Sequence, residues 1–167
     1  LSRFRVGDGQ SVPDPASETV LLNIRLYNSS HRGGGMVFGD DGLLWLTIGD
    51  QFRRDTAQDV TDTLEGGVLR LAVDVAEGEA GAWSCPTGSH LPRRVFATAD
   101  ETSGQLYCIP DDNPWLFADA SAYEEYATIG HRNPHRLAKD PATGRLWSGE
   151  VGESSREEVN VIALGRN

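Results

Sequence analysis

An all-β architecture is what this 167-residue sequence predicts, and three observations carry it. Apolar residues come in short runs bounded by turn-forming residues, whereas helices would give longer stretches of 3.6-residue period. The 19 glycines and 8 prolines are spread along the chain rather than gathered in one linker. The third observation is an internal echo: HRGGGMVFGDDGLLW (31–45) can be laid over HRNPHRLAKDPATGRLW (131–147). Both copies open on His-Arg, enter a short apolar strand, turn through an Asp-containing loop ending in glycine, and continue into a strand that reaches tryptophan. The later copy carries two extra residues, in the turn. Repeated strand–turn–strand units, at roughly 40–50 residues per four-stranded sheet, predict β-propeller blades. The offset between the copies places them two blades apart, or one blade apart with an insertion between.

Taken in order, strands are expected at 3–6 (RFRV), 20–24, 35–38 (GMVF), 43–48 (LLWLTI), 67–73 (GVLRLAV), 125–129 (EYATI), 136–138, 145–149 and 158–163 (EVNVIA). The turn signals DDG at 40–42, IPDDNP at 109–114 and DPATG at 140–144 separate them. One short helix is expected over 119–126 (DASAYEEY), with Asp119 as its N-cap. Residues 76–112 are dotted with Gly, Pro and Ser and read as one long excursion from a compact body, a feature that often serves function. The chain reads as a single propeller segment over 1–167, incomplete relative to a closed ring and holding about three blades. Its open edges call for self-association or for the remaining blades of a parent chain.

A composition of 38% hydrophobic and 24% charged residues is that of a soluble globular domain with a real core. The formal net charge of −10 argues against a nucleic-acid surface and against anionic lipid. Nearly all of the 15 basic residues are arginines, Lys139 being the one lysine, so a local cationic pocket stays open to the chain. No apolar run approaches the roughly 20 residues of a membrane span. The chain shows no signal peptide and opens on Leu1 rather than Met, as expected at a processing boundary. Cys85 and Cys108 bracket a turn-rich stretch and either close a loop as a disulfide or remain buried thiols. Their spacing fits no zinc site. The disulfide is the expected arrangement and implies an oxidising compartment, periplasmic or extracellular.

Four stretches carry candidate chemistry. SSHRGGG (29–35) sets His31 and Arg32 against three glycines, which suit a close approach to the backbone or a sharp turn. In GHRNPH (130–135), the following proline holds Asn133 extended and fixes Arg132 and Asn133 at a strand start. There the arginine can clamp a carboxylate, and the asparagine can donate and accept at once. GEVGESSREEVN (149–160) crowds Glu150, Glu153, Glu157 and Glu158 around Gly152 and Ser154, an oxygen-rich loop of the kind that suits calcium. IGDQFRRDTAQD (48–59) places Asp50 and Gln51 at a strand end, where propellers commonly line a ligand site.

These stretches, with GGVLRLAVD, DNPW and GRLWSGEVGESSREEVNVIALGRN in order, resemble the soluble quinoprotein sugar dehydrogenases of the glucose/sorbosone dehydrogenase family. The resemblance runs from about residue 29 to 167, broken by the excursion, and LSRFRV resembles the end of a preceding blade. It implies a six-bladed β-propeller that binds pyrroloquinoline quinone (PQQ) and calcium and oxidises the anomeric carbon of aldoses. On the matching positions, His31 is implied as the catalytic base. Arg132 and Asn133 are implied as the cofactor clamp, with His135 and Gln51 also in the cofactor-binding set. Gly152 and Glu153 are implied as carbonyl donors to calcium. Partners are then a sugar and an electron acceptor. Three positions depart from the family's pattern: Ser30 stands in place of Asp, His135 in place of Gln, and Glu153 in place of Pro. A non-catalytic extracellular binding propeller of the same fold, as in the Hedgehog-interacting proteins, is the alternative reading.

Overall fold

A computed structural model describes residues 1–24, 27–77, 83–93, 106–116 and 120–167. The described residues form thirteen strands and one 3-10 turn at Thr56–Gln58. The strands are β1 (Ser2–Arg5), β2 (Asp14–Val20), β3 (Met36–Phe38), β4 (Leu44–Ile48), β5 (Gly67–Leu71), β6 (Ala76–Glu77), β7 (Trp83–Ser84), β8 (Ser89–His90), β9 (Ile109–Pro110), β10 (Tyr126–Ile129), β11 (Pro134–Lys139), β12 (Leu146–Glu150) and β13 (Glu158–Ile162).

The sheets are blade-like antiparallel meanders, as the turn spacing predicts. β1 and β2 form a hairpin, β3–β4–β5–β10 a four-stranded sheet, and β11–β12–β13 a three-stranded one. The excursion falls in sequence between β5 and β10 of one blade, and its described residues form two small ladders, β6–β7 and β8–β9. The echoed motifs therefore lead into successive blades, one blade apart plus the insertion. Each opens a hairpin, β3–β4 or β11–β12, and each hairpin turn closes on a left-handed glycine, Gly42 (φ 76°) or Gly144 (φ 70°).

Alternation along β4 and β5 decides which face meets which neighbour. Leu46, Ile48, Leu69 and Leu71 point to one side, into a core completed by Leu22, Tyr107, Ile109, Leu116, Tyr123 and Tyr126. Trp45 and Val68 point to the other, where Leu146 and Ile162 of the next sheet cover them. All five residues of β4 are buried, as are all five of β5, because both faces of this sheet are covered. Arg70, on the same buried strand, is neutralised rather than expelled. Its guanidinium donates to Asp41 (2.9 Å) and Asp112 (2.6 Å), and Asn113 of the DNPW stretch accepts a further bond at 3.2 Å.

Two expectations need correction. The strand expected at 20–24 lies earlier, at Asp14–Val20, where β1 supplies its partner. Leu21 and Leu22 that follow are buried, and their N–H groups donate to the Leu1 carbonyl rather than extend the ladder. The helix expected over 119–126 does not form in its described part. Residues 120–125 are turns, and β10 begins at Tyr126, because pairing of the Glu125 carbonyl with the Arg70 N–H and burial of Tyr126 outweigh local helix propensity. Asp119, its expected cap, lies outside the described residues. Cys85 and Cys108 are joined as a disulfide, and Cys108 also bridges Ala72 at the end of β5, so the bond ties the excursion to its parent blade.

Candidate active site

In an antiparallel hairpin the start of the first strand lies beside the end of the second. His31, just before β3, thus meets Asp50, just after β4. The His31 Nδ1 lies 2.7 Å from Asp50 Oδ1, and both side chains are buried. The next blade repeats the arrangement: His131, before β11, places Nδ1 2.9 Å from Oε2 of Glu150, at the end of β12. Each pair is separated by 19 positions in sequence.

The two pairs differ in what remains open. In His131 both ring nitrogens are occupied, because Nε2 contacts Thr128 Oγ1 at 2.8 Å. In His31, Nδ1 is held by Asp50 and Nε2 has no hydrogen-bond partner among the described residues. With Nδ1–H donated to a carboxylate, Nε2 carries the lone pair. His131 is a closed structural copy, and His31 is the open one.

The backbone around His31 is held in unusual conformations. His31, Gln51 and Phe52 all have positive φ, at 53°, 49° and 65°. Such values in non-glycine residues cost about 1–3 kcal/mol each and persist only where the surroundings fix them. Here Asp50 Oδ1 accepts both the His31 contact and the Phe52 N–H (2.9 Å), and Gln51 Oε1 accepts the N–H groups of Tyr27 (2.6 Å) and Asn28 (3.2 Å). The turn sets the Phe52 ring on the imidazole of His31, centroids 3.9 Å apart and planes 25° apart.

The glycines after His31 serve mainly the chain itself. A Cβ on Gly33 would lie 2.5 Å from the Thr47 carbonyl oxygen, and one on Gly35 2.8 Å from the Leu137 amide of the neighbouring blade. The close approach to the backbone expected at these glycines is thus made by the chain's own strands, and Gly34, at φ 96°, leaves open space around it.

Arg132 reaches the same place from the next blade. Its guanidinium lies 5.9 Å from the Phe52 centroid, and its carbonyl accepts the Asp50 N–H at 2.8 Å. The structure therefore brings His31 and Arg132 together on one aromatic ring. The Arg132–Asn133 turn is held by Glu150, whose Oε1 accepts the N–H groups of both residues, that of Asn133 at 3.2 Å. Asn133 is half-buried, and His135 is exposed at an irregularity in the β11–β12 ladder. Gln51 is buried within its own turn.

Burial pushes the Glu150 carboxyl up, but the His131 contact and the two turn amides outweigh it and hold the group below the ordinary glutamate value. A carboxyl depressed by folding contributes stability above its unfolded pKa and loses it as pH falls through the folded one. Wild-type chain is therefore expected to lose stability on acidification below the normal glutamate range. Glu150→Gln should be less stable at neutral pH and show a flatter acid limb, as read from urea midpoints across pH.

The acidic stretch at 149–160 does not gather its carboxylates. Glu150 faces His131, Glu153 pairs with Arg54, Glu157 accepts the Gly152 N–H (2.8 Å), and Glu158 contacts Asn160 (3.3 Å). No group of three metal-ligating side chains occurs among the described residues. The Gly152 carbonyl, expected to serve calcium, accepts from Arg132 Nη1 at 3.1 Å, as does the Val151 carbonyl at 3.0 Å. A guanidinium cation already serves this turn, so as folded it does not fit a calcium ion. The donor side fits an anionic, oxygen-rich group better: Arg132 Nε and Gln51 Nε2 are buried donors without an acceptor among the described residues.

Sequence reasoning singled out His31, Asp50, Glu150 and the Arg132–Asn133 pair separately but missed that Asp50 meets His31 and that Glu150 holds the Arg132–Asn133 turn. The available signal was the Gly-acid pair, Gly49–Asp50 or Gly149–Glu150, that closes the second strand of each echoed hairpin.

The glucose/sorbosone dehydrogenase family profile matches residues 11–82 and 101–167, and the chain belongs to that family. Aldose sugar dehydrogenase YliI of Escherichia coli K12 is 30% identical over 143 residues, covering 86% of this chain and 29% of that protein. Quinoprotein glucose dehydrogenase B of Acinetobacter calcoaceticus is 32% identical over 143 residues, covering 84% of this chain and 26% of its own. Among solved structures, the soluble aldose sugar dehydrogenase of Escherichia coli in its apo form superposes with a TM-score of 0.69 at 26% identity, over 99% of this chain and 38% of that one. The chain thus spans less than a third of the length of these two sequence relatives. No helix among the described residues is long and apolar enough to cross a membrane.

Proposed function

We propose that this segment supplies the proton-accepting side of the active site in a PQQ-dependent aldose dehydrogenase. The observation that carries the reading is the asymmetry between the two His–carboxylate pairs. One imidazole is closed on both nitrogens, and the other presents a free Nε2 beside a cationic residue.

His31 Nε2 takes the proton of the sugar C1 hydroxyl as hydride leaves C1. Asp50 holds Nδ1–H, fixing the tautomer and the ring plane, and steadies the imidazolium that forms. This supplies the orientation that Ser30, in place of the family's Asp, cannot. Arg132 Nε and Gln51 Nε2, with Asn133 and the exposed His135 on the same strand start, hold the anionic oxygens of the cofactor. Bound PQQ supplies the two-electron acceptor for the hydride. The Cys85–Cys108 bond supports an oxidising compartment, periplasmic or extracellular, where a sugar and a separate electron acceptor meet the protein.

The test is made on the complete propeller that carries this segment. PQQ is added, then a panel of aldoses and an artificial electron-accepting dye. Dye reduction that requires both PQQ and an aldose is expected. Its absence with every aldose, together with no change in the PQQ absorbance on mixing, sinks the reading.

A further inference from the structure

Phe52 is an unusual residue to find where it is. It is a bulky aromatic in the left-handed region, a conformation that glycine adopts without cost, yet 56% of it is exposed. It fills no core. Its ring lies on the His31 imidazole on one side and within 5.9 Å of the Arg132 guanidinium. The Asp50 carboxylate that orients the base also anchors the Phe52 N–H, so the strained turn and the base are built as one unit. Strain kept in place by this many bonds, with an exposed apolar ring as its outcome, marks a side chain held for what it touches.

We propose that Phe52 is the aromatic wall of the sugar subsite, a specificity-determining residue that steers the substrate to the free edge of His31. The inference rests on the reading of this site as a sugar-oxidising one. A pyranose has hydroxyls around its rim and an apolar face of C–H bonds, and an aromatic ring packs against that face while leaving the rim free. With one side of the imidazole covered by Phe52, a C1 hydroxyl that approaches Nε2 in the plane of the ring passes beside the phenyl ring. The wall thereby favours cyclic sugars with an unbroken C–H face and disfavours short, open-chain alcohols, which cannot cover the ring.

Binding measured without the cofactor tests this on the complete propeller. A cyclic aldose, glucose, is titrated by isothermal calorimetry into wild type, Phe52→Leu and Phe52→Gly, and saturation transfer from the Phe52 ring to sugar protons is recorded by NMR. Phe52→Gly suits the positive φ and guards against a misfolded leucine variant. The expected result is transfer to the C–H protons of the sugar in wild type and affinity about tenfold weaker in both variants. The KM for the cyclic aldose should rise in step, while that for a short-chain alcohol does not. Unchanged aldose affinity in the variants overturns the wall, as does loss of PQQ affinity in place of sugar affinity. Sugar binding that depends on Phe52 without PQQ-dependent oxidation sinks the proposed function but leaves the wall standing. Oxidation with an unchanged KM does the reverse.

Discussion

On the proposed function, replacing His31 with alanine is expected to lower aldose oxidation by the complete propeller about 10²–10⁴-fold, the range for removal of a positioned general base. PQQ affinity stays near wild type, because the unpartnered donors belong to Arg132 and Gln51 rather than to His31. Asp50→Asn lowers turnover through the same ring, because an amide no longer holds Nδ1–H as a carboxylate does. His131→Ala provides the contrast. That imidazole is closed by Thr128 and Glu150, so its loss is read first as destabilisation of the Arg132–Asn133 turn. Steady-state dye reduction, beside a PQQ binding isotherm for each variant, separates these outcomes. Turnover by His31→Ala within a few-fold of wild type removes the base from the mechanism.

Gly49→Ala is expected to damage fold and site together. Gly49 lies where the approach to β3, the end of β4 and the approach to β11 converge. A Cβ there would overlap the His31 carbonyl and lie 3.0 Å from that of Arg132. Both obstacles are backbone and cannot rotate away, so the strands must part. Overpacking of this kind costs about 3 kcal/mol. The strands that part are the ones whose ends carry His31, Asp50 and Arg132, so any activity of the site is expected to fall with stability. Gly34→Ala is the control: nothing lies within 4 Å of its added Cβ, and only the left-handed backbone opposes it. Its cost should be nearer 1 kcal/mol. Urea unfolding of the two variants orders them, and equal midpoints would show that the close approach at Gly49 is not limiting.

Much of the blade was legible because its strands carry their own signals. LLWLTI and GVLRLAV are continuous apolar runs of strand length, and they became β4 and β5, buried on both faces. The turns around Gly42 and Gly144 were legible because a left-handed residue at a hairpin bend selects glycine. β2 was not legible: DPASETV has no apolar alternation, and it is a strand only because β1 lies beside it. At Tyr126 the strand expected over 125–129 and the helix expected over 119–126 overlapped, and long-range pairing with β5 and burial in the core decided for the strand.

The sequence by itself determined that the chain is built of repeated hairpins, that it belongs among quinoprotein-like propellers, and that His31 and Arg132–Asn133 are the residues to watch. The hairpins follow from periodicity and turn chemistry, which are local; the family and the weight placed on these residues follow from the resemblance of the ordered motifs. Tertiary structure alone decided that Asp50 meets His31, that Glu150 secures the arginine turn, that the Arg132 guanidinium reaches the Gly152 carbonyl, and that Phe52 stacks on the His31 imidazole. Each of these depends on two strand ends meeting across a sheet or between sheets. Such meetings follow from which faces bury which side chains, a choice the whole fold makes at once.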